Sequence, residues 1–327
     1  MIVKENAPFI KTIRSGICET VHRISAVAVK GNHVIYHRGN PDILVPIRST
    51  AKPFMLTSLI STANDNGINL TDAQISVMAS SHNGEKAHRE CVNSILNLSG
   101  SFPSDLKCGT HLPFYSWLYD DFFNCSELAM RQLFHNCSGK HAGMLLLSKL
   151  WGLSTDNYWH IEHPLQKAIT TSVKEHLHIS NNDQFYVGVD GCGSPTYAVT
   201  IRKLAEAYQR LPTSSSLKNV YNAMLAEPFM IAGTDRVDTL ITTELGFIAK
   251  SGADGLFCVS CSNQDIGIAL KIESGNDDAA ESAIIEILDQ LNLLQSKDKK
   301  TFEPYRFLQI FATNGELVGS YSPIEGI

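Results

Sequence analysis

Strand-forming runs at Ile24–Lys30 and His33–Arg38 flank Gly31-Asn32, a pairing that predicts an antiparallel hairpin near the start of the chain. The period then becomes helical over Thr50–Ile60, Ala73–Met78, Lys86–Leu98, His141–Leu150, Leu165–Leu177, Tyr197–Leu211 and Ser216–Leu225. Strands return at Leu245–Ala249, Gly255–Cys261 and Ile266–Ile272, followed by an amphipathic helix at Asp278–Leu294 and a last hairpin turning at Asn314-Gly315. Strands at both ends with helices between them predict an α+β sandwich whose antiparallel sheet is built from both termini. No repeat or Pro/Gly-rich linker interrupts the pattern, and the only shift in composition is the polar stretch Ser296–Thr301, so residues 1–327 read as a single domain.

Composition removes several classes of function. With 43% hydrophobic and 18% charged residues the chain is globular, and 27 basic against 33 acidic side chains, a net charge of −6, leave no footprint for nucleic acid. No apolar run reaches the roughly 20 residues that cross a bilayer, and the opening segment lacks the apolar core of a signal peptide, so the expected location is the cytoplasm. There the eight cysteines stay reduced and are free or metal-bound.

The first candidate chemistry is Ser49-Thr-Ala-Lys52. On a helix these two side chains share a face, so a neutral lysine amine can take the serine proton. The same spacing starts at Ser104, Ser215 and Ser296, but those lie in polar surroundings where an amine stays hydrated. Only Ser49 sits between apolar runs, Ile43–Ile47 and Pro53–Leu56, which would desolvate Lys52 and lower its pKa. The bland alternative is a serine helix cap beside a snorkelling lysine.

Two glycine-flanked clusters carry thiols, His135–Gly143 and Val189–Pro195. Cys137, a ligand one turn later and Cys192 would form a three-ligand zinc site with an open position; the alternative is buried thiols without metal. Cys258-Val-Ser-Cys261 falls in a predicted strand, where positions i and i+3 face opposite ways, and reads as core. His160 and His163 precede a helix and read as surface or capping groups, and no glycine-rich phosphate loop is present.

Six motifs in order resemble the zinc-associated, serine-dependent L-asparaginases of the rhizobial type (class 3), whose fold is similar to serine β-lactamases and glutaminases. They are Pro46-Ile-Arg48-Ser49-Thr-Ala-Lys52-Pro53, Ser80-Ser81-His82-Asn-Gly84-Glu85, Asn136-Cys137-Ser-Gly-Lys140-His141-Ala-Gly143-Met144, Asp190-Gly-Cys192-Gly-Ser-Pro195, Ala232-Gly-Thr234-Asp-Arg236-Val-Asp238 and Ile268-Ala-Leu-Lys271-Ile-Glu-Ser-Gly275. The resemblance spans nearly the whole chain.

What the resemblance implies is a hydrolase that converts L-asparagine to L-aspartate and ammonia. Ser49 would be the nucleophile and Lys52 its base, and Ser81 with Lys271 would form a second Ser-Lys pair that relays the proton to the leaving ammonia. Cys137, Lys140 and Cys192 would bind a zinc ion that positions substrate, while Arg48, His141 and Asp190 would hold the charged ends of the amino acid or orient the nearby groups. The implied protein is cytoplasmic and homodimeric, takes a small-molecule substrate, and has no nucleic acid or membrane partner. A glutaminase or another β-lactamase-like amidase is the alternative enzyme, and a non-catalytic sensor that only binds zinc or an amino acid is the alternative of another class.

Overall fold

The computed structural model describes residues 6–324. Eleven strands are distributed along them: β1 (Ala7–Arg14), β2 (Ile17–Lys30), β3 (His33–Arg38), β4 (Leu44–Pro46), β5 (Tyr186–Val189), β6 (Pro195–Thr200), β7 (Ile248–Gly252), β8 (Leu256–Cys261), β9 (Ile266–Ile272), β10 (Gln309–Phe311) and β11 (Leu317–Pro323). Between β4 and β7 the chain is chiefly helical. It divides into two compact units, one made of the chain up to Val45, Val199–Gln209 and the chain from Ser251, the other of Pro46–Ala198 and Arg210–Lys250.

The first unit is organised by a sheet of order β10-β11-β1-β2-β9-β8-β7, with β3 also paired to β2. Strands from the two ends of the chain meet in it: Thr12 of β1 lies opposite Tyr321 of β11, and Ala26 of β2 opposite Leu270 of β9. The pairings β1–β11, β1–β2, β2–β9 and β8–β9 are antiparallel, as the terminal strand patterns predict. Residues 266–270 of β9 and all of β8 are buried, so this part of the sheet is covered on both faces. Cys258 and Cys261 are fully buried in β8 as free thiols, which agrees with their reading as core.

The second unit is built around the helix Ser138–Leu150, whose residues are buried as far as Ser148. A helix buried on every side belongs to the centre of its unit, and the helices Thr57–Asp65, Asp72–Met78 and Lys86–Ser99 pack against it. Gly139 makes a very close approach possible: a Cβ there would lie 2.2 Å from the Val77 carbonyl oxygen. This brings the end of Asp72–Met78, and the loop that follows it, against the first turn of the central helix.

Several elements differ from the sequence pattern for local reasons. The expected helix at Thr50–Ile60 is a 3-10 helix, Arg48–Met55, followed by Thr57–Asp65, because Pro53 lacks the N–H that an α-helical ladder needs. The first part of the expected helix Tyr197–Leu211 is strand β6, a β-branched and aromatic run paired with β5, and helix begins at Ile201. Leu245 ends a helix rather than starting a strand, capped by Gly246 at φ 65°. The helix expected to reach Leu294 ends at Gln290. The polar stretch from Ser296 is itself a helix to Arg306, opened by a Gln295/Asp298 capping box. Among the described residues no helix is long and apolar enough to cross a membrane.

Candidate active site

Ser49 is the second residue of the 3-10 helix, directly after Arg48, whose φ of 41° places a non-glycine residue in the left-handed region. Such strain persists only where the surroundings impose it, and it clusters at functional sites. In a 3-10 helix side chains three apart are eclipsed, so Ser49 and Lys52 lie on one face. Ser49 is 7% exposed, and its hydroxyl makes no hydrogen bond among the described residues.

Lys52 is buried with its amine turned to the loop that follows Asp72–Met78. It donates to the Ser80 carbonyl, to Ser81 Oγ at 3.1 Å and to the Asn136 carbonyl at 3.5 Å. That loop is pinned like a strand: Ser81 N donates to the Ile231 carbonyl at 3.0 Å and Asn83 N to the Ala232 carbonyl at 2.8 Å. A second buried amine reaches the same hydroxyl, Lys250 Nζ donating to Ser81 Oγ at 2.8 Å. Burial lowers this amine to about 7, with Lys52 and Arg236 adding to the fall and Asp238 opposing it.

This second lysine is a correction to the sequence reading. Lys271 lies on β9 in the first unit, between Ser25 of β2 and Leu256 of β8, and its amine donates to the Ile272 carbonyl. The amine beside Ser81 is that of Lys250, at the start of Lys250-Ser251-Gly252 in β7. The signal was present, since this triplet on a late strand has the form of the K-T-G element that accompanies Ser-x-x-Lys in serine β-lactamases.

The thiol cluster does assemble. Cys137 immediately precedes the central helix, Lys140 and His141 occupy its first turn, and the β5–β6 hairpin supplies the rest. Asp190 N donates to the Ser194 carbonyl and Gly193, at φ 82°, closes the turn, so Cys192 projects from it. Lys140 Nζ lies 3.0 Å from Cys192 Sγ and 2.5 Å from Ser194 Oγ, and the Ser194 hydroxyl lies 3.2 Å from the same sulfur.

A hydrogen bond from Cys137, then Lys140 and His141, hold the Cys192 thiol far below its usual range despite burial. That same hydrogen bond, together with burial, pushes Cys137 up. Burial alone would lower Lys140, but the two sulfurs overcome it and keep the amine raised. Among the described residues no three His, Cys, Asp or Glu side chains come together as a metal site; here the third donor is a lysine. The two sulfurs suit zinc, and Lys140 could join them as a ligand only after giving up its proton.

The expected substrate-binding residues surround these groups. Arg48 Nε donates to Asp190 Oδ1 at 2.6 Å, and Asp190 Oδ1 also accepts from Gly191 N, so the two charged side chains hold one another. His141 Nδ1 meets the Tyr158 hydroxyl at 2.7 Å, and the ring also bears on the Cys192 sulfur. Burial lowers the His141 pKa, so the ring is neutral near pH 7. Ser194 and Tyr158 had no signal of their own in the sequence. His163 accepts from Leu165 N at the start of Pro164–His176, the capping role its position suggested.

The family model of L-asparaginase II matches residues 10–323. Among solved structures the chain is similar to a class C β-lactamase in complex with cefoxitin, at 14% identity over 82% of this chain and 93% of that one, with a TM-score of 0.44. It is also similar to a class C β-lactamase from Rhodobacter sphaeroides, at 12% identity over 83% and 95%, TM-score 0.42. The octameric penicillin-binding protein homologue from Pyrococcus abyssi matches at 12% identity over 89% and 79%, TM-score 0.40. No curated protein matches the chain significantly in sequence.

Proposed function

The chain belongs to the L-asparaginase II family, and from that premise we propose that it hydrolyses L-asparagine to L-aspartate and ammonia through an acyl-enzyme on Ser49, with Lys52, Ser81 and Lys250 as its proton relay. One observation carries this reading: the Ser81 hydroxyl lies between two buried amines, at 3.1 Å from Lys52 and 2.8 Å from Lys250. Two amines this close cannot both stay charged in a dry site, so one is free to accept a proton.

The proton count closes around that pair, taken with one proton at the start. Ser49 Oγ attacks the side-chain amide carbon and passes its proton to the neutral amine, and the relay then protonates the departing nitrogen, which leaves as ammonia. Water attacks the aspartyl ester next and gives a proton to the relay. Ser49 recovers one as the ester breaks, and the pair again holds a single proton. The backbone N–H of Ser49 is the natural donor to the oxyanion of both steps. His141 Nε2 and the outer atoms of the Arg48–Asp190 pair are the groups that would meet the ends of the amino acid.

Zinc fits the cluster of Cys137, Lys140 and Cys192, which would hold it as three protein ligands. When bound, the ion would supply a fixed positive charge that orients the substrate. The class 3 resemblance adds a homodimer in the cytoplasm to this reading.

Ammonia release from L-asparagine and from L-glutamine tests the proposal in wild type and Ser49→Ala. Wild type should act on asparagine, and Ser49→Ala should lose activity while melting as a folded protein, since the Ser49 side chain caps no backbone group of the helix. A Ser49→Ala enzyme that keeps most of the wild-type rate would overturn the acyl-enzyme.

A further inference from the structure

Behind Ser81 a buried file of charged side chains leads to Arg236. Its Nη1 donates to Asn83 Oδ1 at 3.1 Å and to the Ser81 carbonyl at 3.5 Å, and its Nη2 stands 3.7 Å from Asp238 Oδ2. Asp238 Oδ1 lies 4.0 Å from Lys250 Nζ, and both of these side chains are 0% exposed. The relay as described needs neither Asp238 nor Arg236.

We propose that Asp238 is a positioning residue for the hydrolysis: it anchors Lys250 over the Ser81 hydroxyl and sets the charge state of the two-amine relay. The inference rests on the Ser-Lys reading and adds to it a carboxylate that touches neither substrate nor reacting atoms.

The two amines have unlike surroundings. Lys52 touches neutral oxygens, the carbonyls of Ser80 and Asn136 and the hydroxyl of Ser81. Lys250 shares that hydroxyl but has a fully buried carboxylate on its other side. Burying an ammonium is costly unless an anion compensates it, so Asp238 offsets the desolvation of this particular lysine.

The charged and titratable groups that bear on Lys250 come from three directions. Lys52 lies on the 3-10 helix, Asp238 and Arg236 at the start of the helix Val237–Leu245, and Cys137 at the start of Ser138–Leu150. Lys52 and Arg236 oppose a charge on Lys250, whereas Asp238 and Cys137 favour it. Removing Asp238 therefore makes the first proton of the relay easier to lose, and removing Arg236 makes it harder.

The test is kcat/KM for L-asparagine against pH in the full chain, for wild type, Asp238→Asn, Asp238→Glu and Arg236→Gln. Asp238→Asn should move the rising limb down by about 1–3 pH units, the range expected for loss of an opposite charge at this distance, and should lower kcat at the plateau. Asp238→Glu should return the limb toward its wild-type position, and Arg236→Gln should move it up. A lower kcat in Asp238→Asn with the limb unmoved would reduce Asp238 to a packing role and overturn the proposal. If Asp238→Asn does not fold, Arg236→Gln decides: a limb that stays put or moves down overturns it. Ser49→Ala separates the two levels, because an active Ser49→Ala enzyme sinks the Ser-Lys reading itself. An inactive one beside an unmoved Asp238→Asn limb sinks only the role of Asp238.

Discussion

Lys250 donates to the hydroxyl of Ser81 at 2.8 Å although the two residues stand 169 positions apart. Both are buried, so the contact is a fixed part of the second unit rather than a surface encounter. Lys250→Met should lower kcat for ammonia release by about 10²–10⁴, the usual loss when a proton-transfer group is removed. Lys271→Met should stay near the wild-type rate, because that amine is held by the Ile272 carbonyl. Steady-state kinetics on the two variants check both halves, and the reverse ranking would restore Lys271 as the partner of Ser81.

The pH dependence follows from the same pair. Burial lowers the Lys250 amine to about 7, and because the two lysines are coupled the value belongs to the pair. Below it the Lys250 amine is charged and cannot accept a proton; above it that amine is neutral and can. The rate should therefore rise with pH through an apparent pKa near 7, far below the lysine reference of about 10.4. A kcat/KM profile that begins to rise only near pH 10 would contradict the arrangement.

Metal content gives an independent check on the thiol cluster. Purified protein should hold about one zinc per chain, and Cys192→Ala should lose it, since the site would be left with one sulfur and one amine. The same variant should raise KM for asparagine more than it lowers kcat, because binding shared by ground and transition states appears in KM. Elemental analysis of both proteins reads the first outcome directly. Wild-type protein without zinc, or an unchanged KM in Cys192→Ala, would remove the metal from the reading.

Gly139→Ala separates helix propensity from packing. In an isolated helix the change would stabilise by roughly 0.5–1 kcal/mol, but here the new Cβ would meet the Val77 carbonyl oxygen at 2.2 Å. The backbone must shift, so a net loss of about 1–3 kcal/mol is expected in urea unfolding. Because Ser80 and Ser81 lie two and three residues beyond Met78, activity should fall as well. A stabilised, fully active variant would show that the two helices have room to separate.

The sequence by itself determined the elements and most of the chemical inventory. Alternation and turn residues located the hairpin around Gly31-Asn32 and the strand Ile266–Ile272, and the desolvating runs beside Ser49 distinguished it from Ser104, Ser215 and Ser296. Cys137 and Cys192 stood out among glycines, which mark a backbone that can be closely approached, and the family resemblance added Lys140 to them. These are local signals, written over a few residues by steric and solvation preferences. Tertiary structure decided which distant groups meet. Lys250 and Lys271 both lie on late strands, and although the Lys250-Ser251-Gly252 triplet marks one of them, only the folded chain decides which amine meets Ser81. That choice follows from how the chain packs from Ala79 to Glu85 against Ile231 and Ala232, and from where β7 delivers its amine. The pairing of Arg48 with Asp190 and the hydroxyl that Ser194 sets between Lys140 and Cys192 were decided in the same way. Burial then fixed their chemistry, since the charge an amine or thiol carries depends on neighbours that only the folded chain supplies.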